Sequence, residues 1–282
     1  MQMLMNMEQI FLWLMVYSFF GWVYETILCS AAQRKLVNRG FLLGPICPIY
    51  GCGAVLIILV LGRGTENVLG LFLSGAMLTC TLEYATSYLM EKLFHARWWD
   101  YSKRRYNLNG RVCLEGALVF GTFSVLLVRW IHPAVSAWLT NHLSAAATHL
   151  VCAGLLLIIT LDCVWTVRHL LSLNGRLQKI QAAFEGYRAQ LAHRHEQSLE
   201  QLSSLRSKVR ELPAGHLADL KAGLQERFED SRFYSEHIRS LLDTRRFQDK
   251  RLLNAFPNLT STKYKEALEQ LRTRLENRKK KS

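Results

Sequence analysis

Charged residues are scarce over the first 171 residues of this 282-residue chain. That part holds 12 Lys and Arg and 8 Asp and Glu, whereas residues 172–282 hold the remaining 23 and 14, so the net charge of +13 divides into +4 and +9. Half of the residues are hydrophobic although the mean hydropathy is only +0.06, which means that apolar and polar residues are segregated along the chain. This segregation excludes a single soluble globular enzyme domain, and the aromatic and aliphatic residues of the first part exclude disorder there.

Motifs of the common catalytic and metal-binding sites are also missing. The chain has no Gly-x4-Gly-Lys-Ser/Thr phosphate-binding loop, no Gly-x-Ser-x-Gly elbow and no His-Glu-x-x-His helix. Its 7 cysteines form no Cys-x-x-Cys pair, and no His-x3-5-His pair accompanies them. We therefore expect no ATP hydrolysis by this chain, predict neither a cofactor nor a metal site, and assign no catalytic residue.

Long apolar runs, by contrast, are abundant. Five of them approach the length of about 20 residues that crosses a hydrocarbon layer of roughly 30 Å, at about 9–29, 41–61, 68–90, 113–132 and 150–171. The connections after the first and third runs carry nine Lys and Arg, and the opposite connections carry only Arg63 and Arg129. By the positive-inside rule we expect the N-terminus outside and the C-terminus in the cytoplasm. The sequence thus predicts an all-α, polytopic transmembrane helical bundle of about five spans over residues 1–171.

Residues 172–282 show the heptad-like spacing of amphipathic helices. Apolar residues recur three and four positions apart from Leu173 to Leu191 and, after a slip near 193–198, from Leu199 to Leu212. Further helices are predicted at about 216–254 and 262–278. We expect a cytoplasmic helical or coiled-coil region that forms a homo-oligomer or binds a helical partner. Nucleic acid is not an expected partner, because 14 acidic residues are interleaved with the basic ones and no nucleic-acid-binding motif is present. Anionic membrane lipid is a simpler partner for the basic tail.

Four carboxylates fall within or at the ends of the apolar runs: Glu25, Glu83, Glu115 and Asp162. One of them belongs to a polar series at intervals of four residues, which shares one helix face: Thr79, Glu83, Ser87 and Glu91. Ionisable groups inside a membrane are costly, so these acids are candidates for binding a cation, relaying protons or holding a polar head group. The alternative is that one or two of them merely pair with Arg111, Arg129 or Arg168, or are protonated within helix contacts.

The second apolar run begins unusually, with two prolines and several glycines. Residues 47–61 number only 15, or about 22 Å of helix, which is short for a full crossing. We therefore expect residues 40–48 to enter the membrane as non-helical backbone, which persists only when it is buried in protein or lines a wet cavity. The alternative is that the prolines occupy a first helical turn.

Aromatic and basic residues are concentrated between the third and fourth runs, over residues 94–111. Tryptophan and tyrosine beside Lys and Arg suit the head-group layer of a membrane. This segment is interpreted either as an interfacial anchor or as a lid over the cytoplasmic mouth of a site.

Several long motifs occur in a distinctive order: Tyr17-Ser18-Phe19-Phe20-Gly21-Trp22 with Glu25; Asn38-Arg39-Gly40-Phe41-Leu42 with Gly44-Pro45 and Cys47-Pro48-Ile49-Tyr50-Gly51; Leu82-Glu83-Tyr84 with Ser87 and Glu91; and Trp98-Trp99-Asp100-Tyr101-Ser102 with Asn107, Asn109-Gly110 and Cys113-Leu114. In these motifs the chain resembles the bacterial type IV ABC-transporter permeases, most strongly over residues 10–130. The resemblance implies a multi-pass permease component of the bacterial cytoplasmic (inner) membrane. Because the chain has no phosphate-binding loop, an ABC transporter that contains it would need a separate ATPase subunit.

The polar residues of these segments form the candidate site for a substrate or ion: Glu25, Asn38, Arg39, Pro45, Cys47, Pro48, Tyr50, Glu83, Ser87, Glu91, Trp98, Trp99, Asp100, Asn109 and Glu115. The leading interpretation is a permease-like transport subunit whose site lies between the first four spans. Two alternatives stay open. One is an intramembrane enzyme that acts on a lipid or isoprenoid substrate, and the other is a membrane scaffold that recruits partners through its helical tail.

The predicted topology is tested by labelling with a membrane-impermeant thiol reagent. In a chain whose own cysteines are replaced, a cysteine introduced at Ser102 should react only after the membrane is permeabilised, because Ser102 lies on the predicted cytoplasmic side. A cysteine at Ser144, in a predicted external connection, is the matched control and should react in intact cells. Labelling at position 102 in intact cells would contradict the topology.

Overall fold

A computed structural model describes residues 2–62, 67–208, 240–242 and 247–279. The chain is mostly helical, as predicted. Its helices are α1 (Gln2–Gln33), α2 (Pro48–Leu61), α3 (Val68–Phe94), α4 (Leu114–Leu126), α5 (His132–His142), α6 (Ala145–Lys208), α7 (Phe247–Ala255) and α8 (Lys265–Lys279), with a π-helical turn, Leu127–Ile131, between α4 and α5. Two short antiparallel pairs join β1 (Ala96–Arg97) to β4 (Thr260–Ser261) and β2 (Asn107–Leu108) to β3 (Val112–Cys113).

Four helical stretches in the described part of the chain are long and apolar enough to cross a membrane: Met7–Gln33, Val68–Phe94, Leu114–His142 and Ala145–Gln197. The helix α2 is shorter, with 14 residues or about 21 Å. Residues 34–47 before it are not helical, in agreement with the non-helical stretch expected there. The alternative is also confirmed in part, because Pro48 is the first residue of α2. A backbone N–H at this position has no acceptor within the helix, so a proline there loses no hydrogen bond.

The chain divides into two compact units, and the first comprises Met1–Leu171 together with Gln248–Lys263. Within it α1 packs against α2, α2 against α3, and α3 against α4. One apolar cluster of this unit joins Tyr17 of α1, Ile57 and Ile58 of α2, and Leu127 of the π-helical turn. The polar residues described below therefore lie on helices whose mutual positions are set by apolar packing.

The second unit comprises Ser172–Phe247 and Tyr264–Ser282. Its buried side chains repeat at helical spacing on the two helices that the structure describes there: Leu173, Leu177 and Ile180 on α6, and Leu268, Leu271 and Leu275 on α8. Arg188 of α6 donates to Glu266 of α8 at 2.6 Å. The helix predicted at 262–278 corresponds to α8, whereas most of the one predicted at 216–254 lies outside the described residues; its last part forms α7.

Two glycines allow α1 and α2 to approach closely. A Cβ atom on Gly21 of α1 would overlap the Tyr50 side chain, and one on Gly51 of α2 would overlap Ser18 and the backbone carbonyl of Leu14. Small residues let helix backbones come together in membranes, where apolar side chains alone give little driving force. The close approach sets Tyr50 directly beside α1.

Replacing Gly51 by alanine should therefore destabilise the protein by about 1–3 kcal/mol, because the new methyl group meets backbone that cannot rotate away. The control is Gly154→Ala in α6, where no atom lies within 4 Å of the added carbon. This control should be neutral or stabilising, since alanine favours helix over glycine by about 1 kcal/mol. Thermal unfolding in detergent measures both, and equal melting temperatures would refute the close packing of α1 and α2.

Candidate functional site

The Glu25 carboxylate is held between a tyrosine and an arginine. Glu25 lies on the last part of α1, and the Tyr50 hydroxyl of α2 donates to its Oε1 at 2.5 Å. Arg39, from the irregular segment between the two helices, places Nε 3.6 Å from Oε2. The side chains of Arg39 and Glu25 are 18% and 27% exposed. This partial burial makes a charged partner more valuable to the carboxylate than it would be in open water.

The irregular segment 34–47 is bound back to α1 by its own polar groups. Trp22 Nε1 donates to Asn38 Oδ1 at 2.7 Å, and Asn38 Nδ2 donates to the Leu43 carbonyl at 3.3 Å. The backbone N–H of Cys47 donates to the Ser18 carbonyl at 2.9 Å, and its thiol to the Arg39 carbonyl at 3.3 Å. Asn38 and Cys47 therefore position the segment, and with it Arg39.

Pro45 lies within the same irregular segment, and Pro48 begins α2. Proline has no backbone N–H to donate. These two positions therefore have no N–H group that needs an acceptor. This reduces the number of backbone groups that need a partner where the chain is neither helical nor paired in a sheet.

The predicted polar face of α3 meets residues 95–113. Glu83, only 8% exposed, accepts a hydrogen bond from the Tyr101 hydroxyl at 3.3 Å. Thr79, at the other end of the series, donates to the Gly75 carbonyl of its own helix at 2.7 Å. The series thus combines one residue satisfied within α3 with acids and a serine that face the connecting segment.

Arg111 joins the last two members of that series. It is 7% exposed, and its Nη1 donates to Ser87 Oγ at 3.1 Å while its Nη2 donates to Glu91 Oε2 at 2.6 Å. Arg97 Nε donates to the same Glu91 oxygen at 2.9 Å. Two guanidinium groups on one carboxylate form a charge-assisted network, which holds the connecting segment against α3. Arg111 thus pairs with Glu91, which is not one of the four carboxylates for which such a pairing was the alternative.

Residues 99–110 form a rigid support for Tyr101 and Arg111. Asp100 Oδ1 accepts from the backbone N–H of Ser102 at 2.9 Å and also from its hydroxyl, and these bonds hold the pKa of Asp100 below its ordinary value. Gly110 has φ +68, and a Cβ there would lie 2.6 Å from Asp100 Oδ1. Glycine is favoured by that left-handed backbone and by the close approach.

Trp99 and Asn109 complete this support. Trp99 Nε1 donates to the Arg111 carbonyl at 3.0 Å, and Asn109 Nδ2 donates to the Tyr84 hydroxyl on α3 at 3.0 Å. Trp99 therefore joins two parts of the connecting segment, and Asn109 joins that segment to α3, each through a neutral hydrogen bond.

Trp98 and Glu115 occupy contrasting environments. Trp98 is 4% exposed and packs edge-on against Phe41 and Phe256, with ring centroids 5.0 and 4.9 Å apart. Glu115 pairs with Arg104 at 3.0 Å, and their side chains are 65% and 60% exposed. The structure thus brings Trp98 into the packed interior beside the irregular segment, whereas Glu115 pairs at the surface.

Glu25 and Glu83 share one kind of partner, because each carboxylate is bound by a tyrosine hydroxyl. Burial raises the pKa of Tyr101, and the nearby carboxylate of Glu83 raises it further. The two carboxylates stand on different helices, Glu25 on α1 and Glu83 on α3, and each accepts a hydrogen bond from a tyrosine hydroxyl. An arrangement of two carboxylates with tyrosine donors suits a cation or a transferable proton. In the described ranges no group of three or more His, Cys, Asp or Glu is placed to hold a metal ion.

Two side chains that bind parts of the site were not selected from the sequence: Tyr101, which binds Glu83, and Arg251, which binds the irregular segment. Tyr101 belongs to the Trp98–Ser102 motif, so the motif could have identified it as a candidate. Arg251 of α7 donates to backbone carbonyls of the irregular segment, and it stands in the sequence among many other basic residues with no distinguishing spacing. Asp162 of α6, one of the four carboxylates noted above, accepts from the backbone N–H groups of Leu43 and Gly44.

A comparison with protein families finds one match: the family model described as "Putative ABC-transporter type IV" covers residues 12–167. This range includes every residue of the candidate site. Comparisons with curated proteins and with solved structures find no match.

Replacing Arg111 by alanine should destabilise the protein by about 3 kcal/mol, because Ser87 and Glu91 lose a buried partner. The matched control is Arg104→Ala, which breaks an exposed pair and should cost at most about 1 kcal/mol. Thermal unfolding of both purified variants gives the comparison. Similar melting temperatures for the two would show that Arg111 does not hold the connecting segment.

Proposed function

Because the chain belongs to the ABC-transporter type IV family, we propose that it is the membrane-embedded, permease-like subunit of an ABC-type transporter. The observation that carries the proposal is a pair of carboxylates on apolar helices, with Glu83 only 8% exposed on α3 and Glu25 partly buried on α1. A charged carboxylate near the centre of a membrane costs about 2.5–3.5 kcal/mol. A carboxylate with no function would bring this cost without any benefit. The sequence has no phosphate-binding loop, so the ATPase is a separate subunit.

We further propose five membrane crossings, with α2 and the irregular segment before it together forming the second. Irregular backbone at this depth needs partners within the protein, and the hydrogen bonds of residues 38–47 supply them. The connections 34–47 and 95–113 both contact residues 248–263. These three segments are basic and would lie on one side of the membrane. By the positive-inside rule that side is the cytoplasm, which agrees with a cytoplasmic C-terminus and an external N-terminus in the bacterial inner membrane.

The region from residue 172 onward is proposed to be a cytoplasmic coiled-coil that binds a helical partner or a second copy. The buried leucines of α6 and α8 and the Arg188–Glu266 pair support helix association there. Anionic lipid is the proposed partner of the basic residues near the membrane.

Glu83→Gln tests the transport proposal. The substitution keeps the size and most of the hydrogen bonding of the side chain but removes its charge. With the protein and its co-purified ATPase in proteoliposomes, transport should fall roughly tenfold or more, the effect of losing about 1.4 kcal/mol of interaction in the rate-determining state. Melting temperature should be unchanged or higher than that of the unmodified protein. The same change at Glu115, which is exposed, should have a smaller effect.

Other outcomes separate the competing functions. A fully active and more stable Glu83→Gln variant would make Glu83 a structural burden and would contradict the site. Turnover of a lipid in detergent, without an ATPase or an ion gradient, would identify an enzyme. A protein that tolerates Glu→Gln changes in the spans but fails when its tail is removed would be a scaffold.

A further inference from the structure

A cavity of about 160 Å³ lies at the end of α1 that is opposite to Glu25. Its walls are the first half of α1, the second half of α5 and the start of α6. Glu8, which lines the cavity, is separated from Glu25 by about 25 Å of helix. A single water needs only about 10–15 Å³, so the cavity is large enough for a small molecule. It is separate from the candidate site described above.

The charged group of this cavity is the Glu8 carboxylate. Its Oε1 lies 2.5 Å from His149 Nδ1 of α6. Its Oε2 is buried and has no hydrogen-bond partner among the described residues. Of the described residues that line the cavity, none is lysine or arginine. Leaving a buried carboxylate oxygen unpaired is costly, so Glu8 points to a hydrogen-bond donor from outside the described chain.

Two hydroxyl groups of the cavity wall can act only as acceptors towards a ligand. The Thr140 hydroxyl donates to the Ser136 carbonyl at 2.6 Å, and the Thr148 hydroxyl donates to the Ser144 carbonyl at 3.0 Å. A hydroxyl has one hydrogen and two lone pairs. Because both hydrogens are bound to backbone carbonyls, Thr140 and Thr148 offer only lone pairs. Together with Glu8 they favour a ligand that carries a positive charge and several N–H donors.

Four further side chains of the wall are apolar or aromatic. Leu12 and Leu139 are buried members of one apolar cluster, and Trp13 and Leu143 pack against it. The same cluster includes Cys152 of α6, so packing fixes the relative positions of the three helices around the cavity. A ligand there gains free energy by burying a short apolar body beside its charged group.

We propose that this cavity binds a small organic amine, whose primary ammonium group contacts Glu8, Thr140 and Thr148 and whose apolar body contacts the leucines. An ammonium group has three N–H donors, one for each of these side chains. The cavity lies at one end of three helical stretches that are long enough to span a membrane, so the amine can come from solution or from a lipid head group. The inference does not depend on the transport role, since it concerns binding at Glu8.

The test measures thermal unfolding of the full-length protein in detergent, with n-butylammonium chloride as the probe and the ionic strength held constant with sodium chloride. The melting temperature of the unmodified protein should rise along a saturable curve at millimolar concentrations, because a ligand that binds only the folded state stabilises it. Glu8→Gln keeps an oxygen for His149 but removes the charge, and should weaken binding at least about tenfold. The matched control Glu185→Gln, at an exposed carboxylate of α6, should bind like the unmodified protein.

Thr140→Val tests the site without altering Glu8. Valine keeps the shape of threonine but has no oxygen, so binding should weaken about threefold or more. This variant decides the outcome if Glu8→Gln is not recovered as folded protein. Absence of a saturable rise in the unmodified protein, or unchanged binding in the deciding variant, would overturn the proposal. Equal binding of n-butyltrimethylammonium, which has the charge but no N–H donor, would overturn the primary-amine class of the ligand.

The two sources of the amine are distinguished in lipid nanodiscs. The unmodified protein is placed in discs of phosphatidylglycerol with either phosphatidylethanolamine or phosphatidylcholine, and n-butylammonium binding is compared. Weaker binding in the phosphatidylethanolamine discs would assign the site to the lipid head group, because its primary ammonium competes whereas choline has no N–H donor. Equal, saturable binding in both discs would assign it to an amine from solution. Absence of binding in both discs would overturn the proposal.

Discussion

Backbone groups that leave helical geometry near a membrane must find partners within the protein, and residues 34–47 are where this chain meets that constraint. Side chains from distant helices meet it: Asp162 binds N–H groups of the segment, and Arg251 binds its carbonyls. Because helix α2 begins only at Pro48, Tyr50 stands in the first turn beside Glu25. The contacts of the Glu25 carboxylate therefore depend on how the irregular segment is held.

The same constraint extends to the charged side chains of the interior. Arg111, which is buried, pairs with the partly buried Glu91, and Glu83 accepts from a tyrosine. The difference between these acids is informative. Glu91 is bound by two arginines and has a structural explanation, whereas the hydrogen bond that Glu83 accepts in the described part of the chain comes from a neutral tyrosine hydroxyl. This contrast makes Glu83 the more informative residue for a transport function.

Sequence reasoning located much of this region. The four-residue spacing from Thr79 to Glu91 predicted a polar helix face, and all four residues lie on α3. The prolines and glycines after Asn38 predicted non-helical backbone, which residues 40–47 adopt. The resemblance in the motifs between Tyr17 and Leu114 agrees with the family match over residues 12–167. Each of these predictions rests on neighbours along the chain, whose spacing local backbone geometry converts directly into a shared face or a break.

The sequence by itself determined the helical character, the apolar stretches and the acids that interrupt them, because hydrophobic periodicity and backbone propensities act over a few residues. Only the tertiary structure decided the partners. Asp162 binds Leu43 across 119 positions of sequence, and Arg251 binds Leu42 across 209. Many basic and acidic residues have the same local pattern as these two. Which of them meets an unpaired carbonyl or amide is decided by helix packing, through close approaches such as that of Gly51 to α1.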